Sequence, residues 1–157
     1  MSEKLELNDT ILLEVMPLIE KFDQSNIVEY AALADSLISA MTRLEGIGLA
    51  ANQVGKRYRA FAMYIRGIPE VLFNPRVLDW TKGFVFVEEG CLSYPNIKQQ
   101  KARAPSLEVE WKNHAGTKYQ TWLDKLDAIA FQHELDHLNG KKWIEDGRNR
   151  KESIQIK

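Results

Sequence analysis

Apolar positions along the chain follow two different periods. From Asn26 onward, Ile27, Ala31, Ala34, Ile38 and Met41 recur at helical spacing, and Asn26 with Glu29 resembles a capping box, which predicts a helix to about Arg43. Helical spacing returns from Asp124 to Leu138, with Leu126, Ile129, Ala130, His133 and His137 on one side and Ala128, Phe131, Leu135 and Leu138 on another. A helix apolar over so much of its circumference must be largely buried, and Gly140 suits its C-terminal stop. Between these stretches the pattern is β-like. Tyr58–Ile65 reads as a strand, and the runs 71–73, 77–80 and 84–87 as short strands punctuated by Pro75 and Gly83. Leu107–Trp111 alternates cleanly, and Asn113-His114-Ala115-Gly116 can turn it back into Lys118–Trp122 as a hairpin. The segment before Asn26 is short and irregular, and the tail after Trp143 is polar, with no sustained apolar stripe. The order predicts an α+β chain with a β-rich middle.

Composition narrows the classes. The 157 residues, 45% of them hydrophobic, suffice for one domain with its own core, and no linker or repeat divides them, so a single domain over 1–157 with a short tail from about 141 is expected. Lys+Arg 21 against Asp+Glu 22 gives a net charge of −1, too little positive field for a nucleic-acid partner. Charges interrupt every hydrophobic run, so no membrane span is expected. With one Cys and no secretion-like start, a cytoplasmic location fits best.

Chemistry concentrates in three segments. His133-Glu134-Leu135-Asp136-His137 places two imidazoles at i and i+4 on one helical face, where they can grip one cation. Their companions on that face, Leu126, Ile129 and Ala130, are apolar, so imidazoles without a partner there would lose hydration uncompensated. Glu134 lies beside the first His, offset around the helix, as suits a residue that handles a proton without ligating. A hydrolytic metal site needs a third protein ligand and an open position. Cys91 and His114 are the candidates. His114 falls in the hairpin turn, where an exposed surface residue is expected, whereas Cys91 follows a strand in a Gly- and Pro-bounded turn able to present a thiolate inward.

The third segment, Gly46-Ile47-Gly48-Leu49-Ala50-Ala51-Asn52-Gln53, formally matches a dinucleotide fingerprint, but it follows a helix and leads toward a strand, the reverse of that motif's setting. A tight backbone passage beside a ligand, with the Gln53 amide as donor, is the alternative to an ordinary Gly turn.

Together, Gly46–Gln53, Glu89-Gly90-Cys91-Leu92-Ser93 and Gln132–His137 resemble the three signature motifs of peptide deformylases, in family order and at family-like separations. The resemblance runs from roughly Asn26 to Trp143. It implies an α+β fold with mixed or antiparallel sheets packed around a central helix that bears the H-E-x-x-H motif. It further implies that Cys91, His133 and His137 ligate a divalent metal and that Glu134 transfers the proton. Gln53 and the Leu92 N–H would donate to the formyl oxygen. Backbone around Gly46, Ile47, Gly48 and Gly90 would pair with an extended substrate, and Val87, Leu126, Ile129 and Ala130 would receive a methionine side chain.

The implied reaction is hydrolysis of the N-formyl group from formylmethionine at the start of nascent polypeptides, releasing formate. A thiolate among the ligands makes Fe(II) a credible native metal, with Zn(II), Ni(II) or Co(II) possible. Two residues depart from the pattern. Asn52 stands where many relatives have Pro, a loop change without expected effect on the chemistry, and Lys98 stands where bacterial relatives have an Arg near the substrate backbone, which replaces a fork by a point donor. The long C-terminal helix of common bacterial forms has no counterpart here, so ribosome docking through it is not expected. Rival readings are an H-E-x-x-H endopeptidase, a non-catalytic metal-binding protein and a nucleotide-binding module. Internal cleavage, metal retention without turnover, and dinucleotide binding without metal would mark each in turn.

Overall fold

A computed structural model describes residues 3–144. Helix α1 (Ile27–Arg43) is followed by β1 (Gly48–Ala50), a single 3-10 turn (Ala51–Gln53), β2 (Ala60–Ile65), β3 (Ile68–Trp80), β4 (Val85–Cys91) and β5 (Tyr94–Arg103). Then come β6 (Ser106–Lys112), β7 (Lys118–Asp124) and helix α2 (Lys125–Leu138). One antiparallel sheet has the order β1-β2-β3-β6-β7, and β4 and β5 form a separate antiparallel pair. The α+β expectation is met, with every strand pair among the described residues antiparallel. Of the expected tail from about 141, residues beyond 144 lie outside the described residues.

The near-continuous apolar run of β2 has a plain cause: both of its faces are covered. Phe61, Met63 and Ile65 point into a core shared with α2, which includes Leu72, Leu107, Val109, Phe131 and Leu135. Ala60 and Ala62 face a second core with Leu33, Leu37 and Met41 of α1. The five-stranded sheet is thus sandwiched near β1, β2 and β3 between two helices. Phe61 and Phe131 meet edge-to-face at 5.3 Å between centroids, tying α2 to the sheet centre.

Two expectations need correction, and one strand was not foreseen. Asn26 does precede α1, but its side chain accepts the Asp23 N–H and donates to the Lys21 carbonyl, so no capping box forms; the Glu29 carboxylate is taken by the Tyr58 hydroxyl instead. The runs 71–73 and 77–80 belong to one strand of 13 residues, β3, which carries Asn74 at φ 50 and Pro75 through a register shift that tolerates both. The polar stretch that forms β5 carries no apolar alternation, and it is a strand because β4 pairs with it along its length.

Helix α2 ends in a Schellman arrangement: Gly140 at φ 67 donates to the His137 carbonyl at 3.0 Å, and Lys141 to the Asp136 carbonyl at 3.0 Å. A Cβ on Gly140 would come within 2.7 Å of the Leu13 carbonyl oxygen. Gln132 fastens the middle of α2 by accepting the Ala104 N–H and donating to the Ala104 and Ala128 carbonyls. Gly140→Ala therefore combines a left-handed backbone penalty of about 1–2 kcal/mol with a clash against main chain. Urea unfolding should show a loss at least that large.

Candidate metal centre and active site

Helix α2 carries both histidines on the face its period predicts. His133 and His137 are buried, their Nε2 atoms 3.1 Å apart, and Cys91, at the end of β4, puts its Sγ 3.4 Å from His137 Nε2. One sulfur and two imidazole nitrogens all lie within 4.8 Å of one another, a donor set that could hold a metal ion. Two Nε2 atoms at that separation cannot both present lone pairs without a proton or cation between them. The titration behaviour agrees. Burial pushes His133 down, but hydrogen bonds to Cys91 and Glu89 and the charges of Glu134 and Glu89 outweigh it and raise the ring to about 10. Burial and the charge on His133 drive His137 well below the ordinary histidine range. A divalent cation between the donors would satisfy both lone pairs.

Glu134 is buried beside the donors, with no hydrogen-bond partner for Oε1 among the described residues. Burial pushes its carboxyl up to about 7, near the value suited to exchanging protons at neutral pH. Its other oxygen lies against Gly48, where a Cβ would stand 2.5 Å from Oε2. Gly48 is thus glycine because the carboxylate occupies its side-chain space. Gln53 lies behind the sulfur: its Nε2 donates to Ser93 Oγ at 3.0 Å and sits 3.7 Å from Cys91 Sγ, while its Oε1 accepts the Ala50 N–H.

Cys91, His133, Glu134, Gln53 and Gly48 border a cleft of about 620 Å³. It is lined by Gly46, Ile47, Gly48, Gly90 and Leu92. Val87, Leu126, Ile129, Ala130 and His133 also line it. Lys98 also borders it, with its ammonium about where a Cβ on Gly90 would point, 3.0 Å away. Gly46, Ile47, Gly48, Gln53, Gly90, Cys91, Leu92, His133 and Glu134 thus line one cleft, with His137 beside it in the donor cluster. His114 does not: it is half-buried and lines a separate cleft with Asp35 and Trp111, so it is neither at the metal cluster nor fully exposed as expected.

The residues behind the donors were not foreseen. Glu89 accepts the His133 Nδ1 proton at 2.8 Å, and Arg103 clamps both Glu89 oxygens at 2.7 and 2.8 Å while reaching Asp136 at 2.7 Å. Burial works against the Glu89 carboxylate, yet hydrogen bonds from Arg103 and His133 hold it well below the usual carboxylate range. The same pairing keeps Arg103 firmly charged despite its burial. Trp143 closes the back, donating to Glu89 at 3.3 Å and stacking on Tyr94. Glu89 stands inside a recognised motif, and its place two residues before a candidate thiolate was the available hint; Arg103 sits in a polar strand that gave none.

A family model described as polypeptide deformylase matches residues 1–153. The chain belongs to the polypeptide deformylase family. The peptide deformylase of Thermotoga maritima is 34% identical over 132 residues, covering 84% of this chain and 78% of that protein. That of Agrobacterium fabrum is 34% identical over 156 residues, covering 96% and 89%. The crystal structure of the Thermotoga maritima protein superposes with a TM-score of 0.77 at 32% identity, over 90% of this chain and 94% of that one. The deformylase of the Vibrio parahaemolyticus bacteriophage VP16T, in complex with actinonin, gives 0.78 at 30% identity over 89% and 99%. Family membership carries the activity: a metal-dependent hydrolase that removes the N-formyl group from nascent peptides.

Gly48→Ala should displace the Glu134 carboxylate by about an ångström and lower kcat/KM about 100-fold, since misplacement on that scale costs about as much. Metal content should stay at the wild-type level. Steady-state kinetics with metal analysis on the same sample checks both.

Proposed function

We propose that residues 1–157 form one catalytic domain, with a short tail from about 141, and that its cleft deformylates N-formylmethionyl termini with roles divided as follows. Cys91, His133 and His137 hold the metal, and the observation that carries this is the convergence of their three donor atoms beside the buried Glu134 carboxylate. Thiolate in the set favours Fe(II) as the native ion over Zn(II), Ni(II) or Co(II). When bound, the ion supplies Lewis acidity toward the formyl oxygen and lowers the pKa of water.

The chain's own groups do the rest. Glu134 accepts a proton from the attacking water as its oxygen adds to the formyl carbon, then hands that proton to the amine nitrogen as the C–N bond breaks, leaving formate and a free N-terminus. Gln53 Nε2 and the Leu92 N–H donate to the formyl oxygen as negative charge gathers there; one such donor is worth about 2.7–4 kcal/mol of barrier. Main chain at Gly46, Ile47, Gly48 and Gly90 pairs with the peptide as an added strand, and Lys98 offers a charged donor beside it. Val87, Leu126, Ile129 and Ala130 receive the methionine side chain.

No helix among the described residues is long and apolar enough to cross a membrane. Nascent formylated substrates place the enzyme near the ribosome in the cytoplasm, where a thiol ligand stays reduced. The endopeptidase reading has less support, because the family to which the chain belongs removes the N-formyl group.

Formate release from a formyl-Met peptide, with protein purified without oxygen and supplied with iron, tests the reading. Wild type should turn over, and Glu134→Gln should keep its metal but lose turnover. Cys91→Ala and His137→Ala should each lose metal and activity, whereas His114→Ala keeps both. Full metal retention by Cys91→Ala would refute the ligand set, and cleavage of internal peptide bonds without formate would refute the reaction. Gln53→Ala should lower kcat about 100- to 1,000-fold with metal content unchanged.

A further inference from the structure

Asn52 is the one departure from the Gly46–Gln53 motif, and it is no surface change. The side chain is wholly buried, and its Nδ2 donates to the main-chain carbonyl of His137 at 2.6 Å and to that of Leu12 at 3.4 Å. Two carbonyls fix the sense of the amide, because a flip would set Oδ1 against both oxygens. Oδ1 is therefore a buried acceptor, without a hydrogen-bond partner among the described residues.

The residue that Asn52 grips has the complementary deficit. His137 turns Nε2 toward Cys91 and His133, so a neutral ring that ligates through Nε2 must carry its proton on Nδ1. That Nδ1 is buried and has no partner among the described residues either. A polar atom left so is worth about 1–3 kcal/mol, and metal-bound histidines almost always donate their second N–H to a carbonyl, carboxylate or water. The sister ligand obeys this rule, since Glu89 receives His133 Nδ1 at 2.8 Å. One orphan donor and one orphan acceptor thus belong to two residues already joined by a hydrogen bond.

We propose that Asn52 is the positioning residue of His137: Nδ2 holds its main-chain carbonyl, and Oδ1 accepts its Nδ1–H across one buried water. The pair does for His137 what Glu89 does for His133, with a neutral amide in place of a carboxylate. Proline, which many relatives carry at this place, offers neither group. It rests on the ligand set proposed above.

The test uses the full chain loaded with Co(II) without oxygen. Thiolate-to-cobalt absorption in wild type, lost in Cys91→Ala, establishes separately that the metal sits at Cys91; its absence from wild type refutes the proposed ligand set and this role with it. With the band present, Asn52→Ala and Asn52→Pro should release cobalt to excess chelator about 10-fold faster or more and shift the ligand-field bands, in line with the about 10- to 100-fold effect of such partners. Asn52→Asp, which keeps shape and acceptor but loses the donor, should fall between. Asn74→Ala frees the same N-terminal segment, by losing the two hydrogen bonds of Asn74 to Ile19, and should release cobalt at the wild-type rate. Release within twofold of wild type and an unchanged spectrum in folded Asn52→Ala would overturn the proposal. A readout free of variants is exchange of the His137 Nδ1 proton in zinc-loaded, 15N-histidine-labelled wild type: slow exchange supports the role, and exchange at the rate of an exposed imidazole refutes it.

Discussion

The buried ion network of Glu89, Arg103 and Asp136 is the constraint on which the site depends. Cys91 comes from the two-stranded sheet and the two histidines from α2, and these units share no strand ladder. Arg103 joins them, with two hydrogen bonds to Glu89 on β4 and one to Asp136 on α2. Removing such charges from water is costly, and an apolar substitute of equal volume is often as stable. The network therefore makes better sense as registration than as a source of stability. It sets the distance between β4 and α2, hence between sulfur and imidazoles, and losing one member would leave an uncompensated charge worth about 3–5 kcal/mol.

Registration explains why the surroundings are so fully used. Glu89 faces Arg103 with both oxygens and still receives the His133 Nδ1 proton, so the same carboxylate that docks the hairpin also sets the tautomer of a candidate ligand. On the other side, Gly48 leaves its side-chain space to Glu134, and the 3-10 turn that follows β1 delivers Gln53 to the sulfur. Each of these contacts is made by a residue whose neighbours lie in a different segment of the chain. Small backbone shifts in β1, β4 or α2 would therefore be felt at the donors together.

Much of this was legible in the chain, and what was not has a physical reason. The 3.6 period from Asp124 to Leu138 announced α2 because both of its faces are covered, and the H-E-x-x-H spacing on it announced paired imidazoles. The Leu107–Trp111 alternation announced β6 because one face lies on the core and the other is wet. Strand β5 was invisible for the opposite reason: Lys101 and Arg103 are buried not by apolar matching but by ion pairing and by a bond to the Trp143 carbonyl. Periodicity registers hydrophobicity, and a buried charge whose partner is a dozen or more residues away leaves no periodic trace. Glu89 was visible as a letter in a motif, but its partner was not.

Asn52 shows the same blindness at one position. Beside a Gly-rich turn, a polar residue in place of Pro reads as a loop change without effect on the chemistry, because Asn is common in turns. Its burial comes from two carbonyls, those of Leu12 and His137, that lie 40 residues before it and 85 after it. A family pattern records which residues recur, and so it points away from a position where this chain differs. The difference matters because of what the position touches: the last turn of α2, whose carbonyl belongs to a proposed ligand. Where a pocket is packed this closely around a cluster of candidate metal donors, an unusual polar residue behind a donor is better read as a compensating partner than as drift, since a buried amide without a task would be costly to keep.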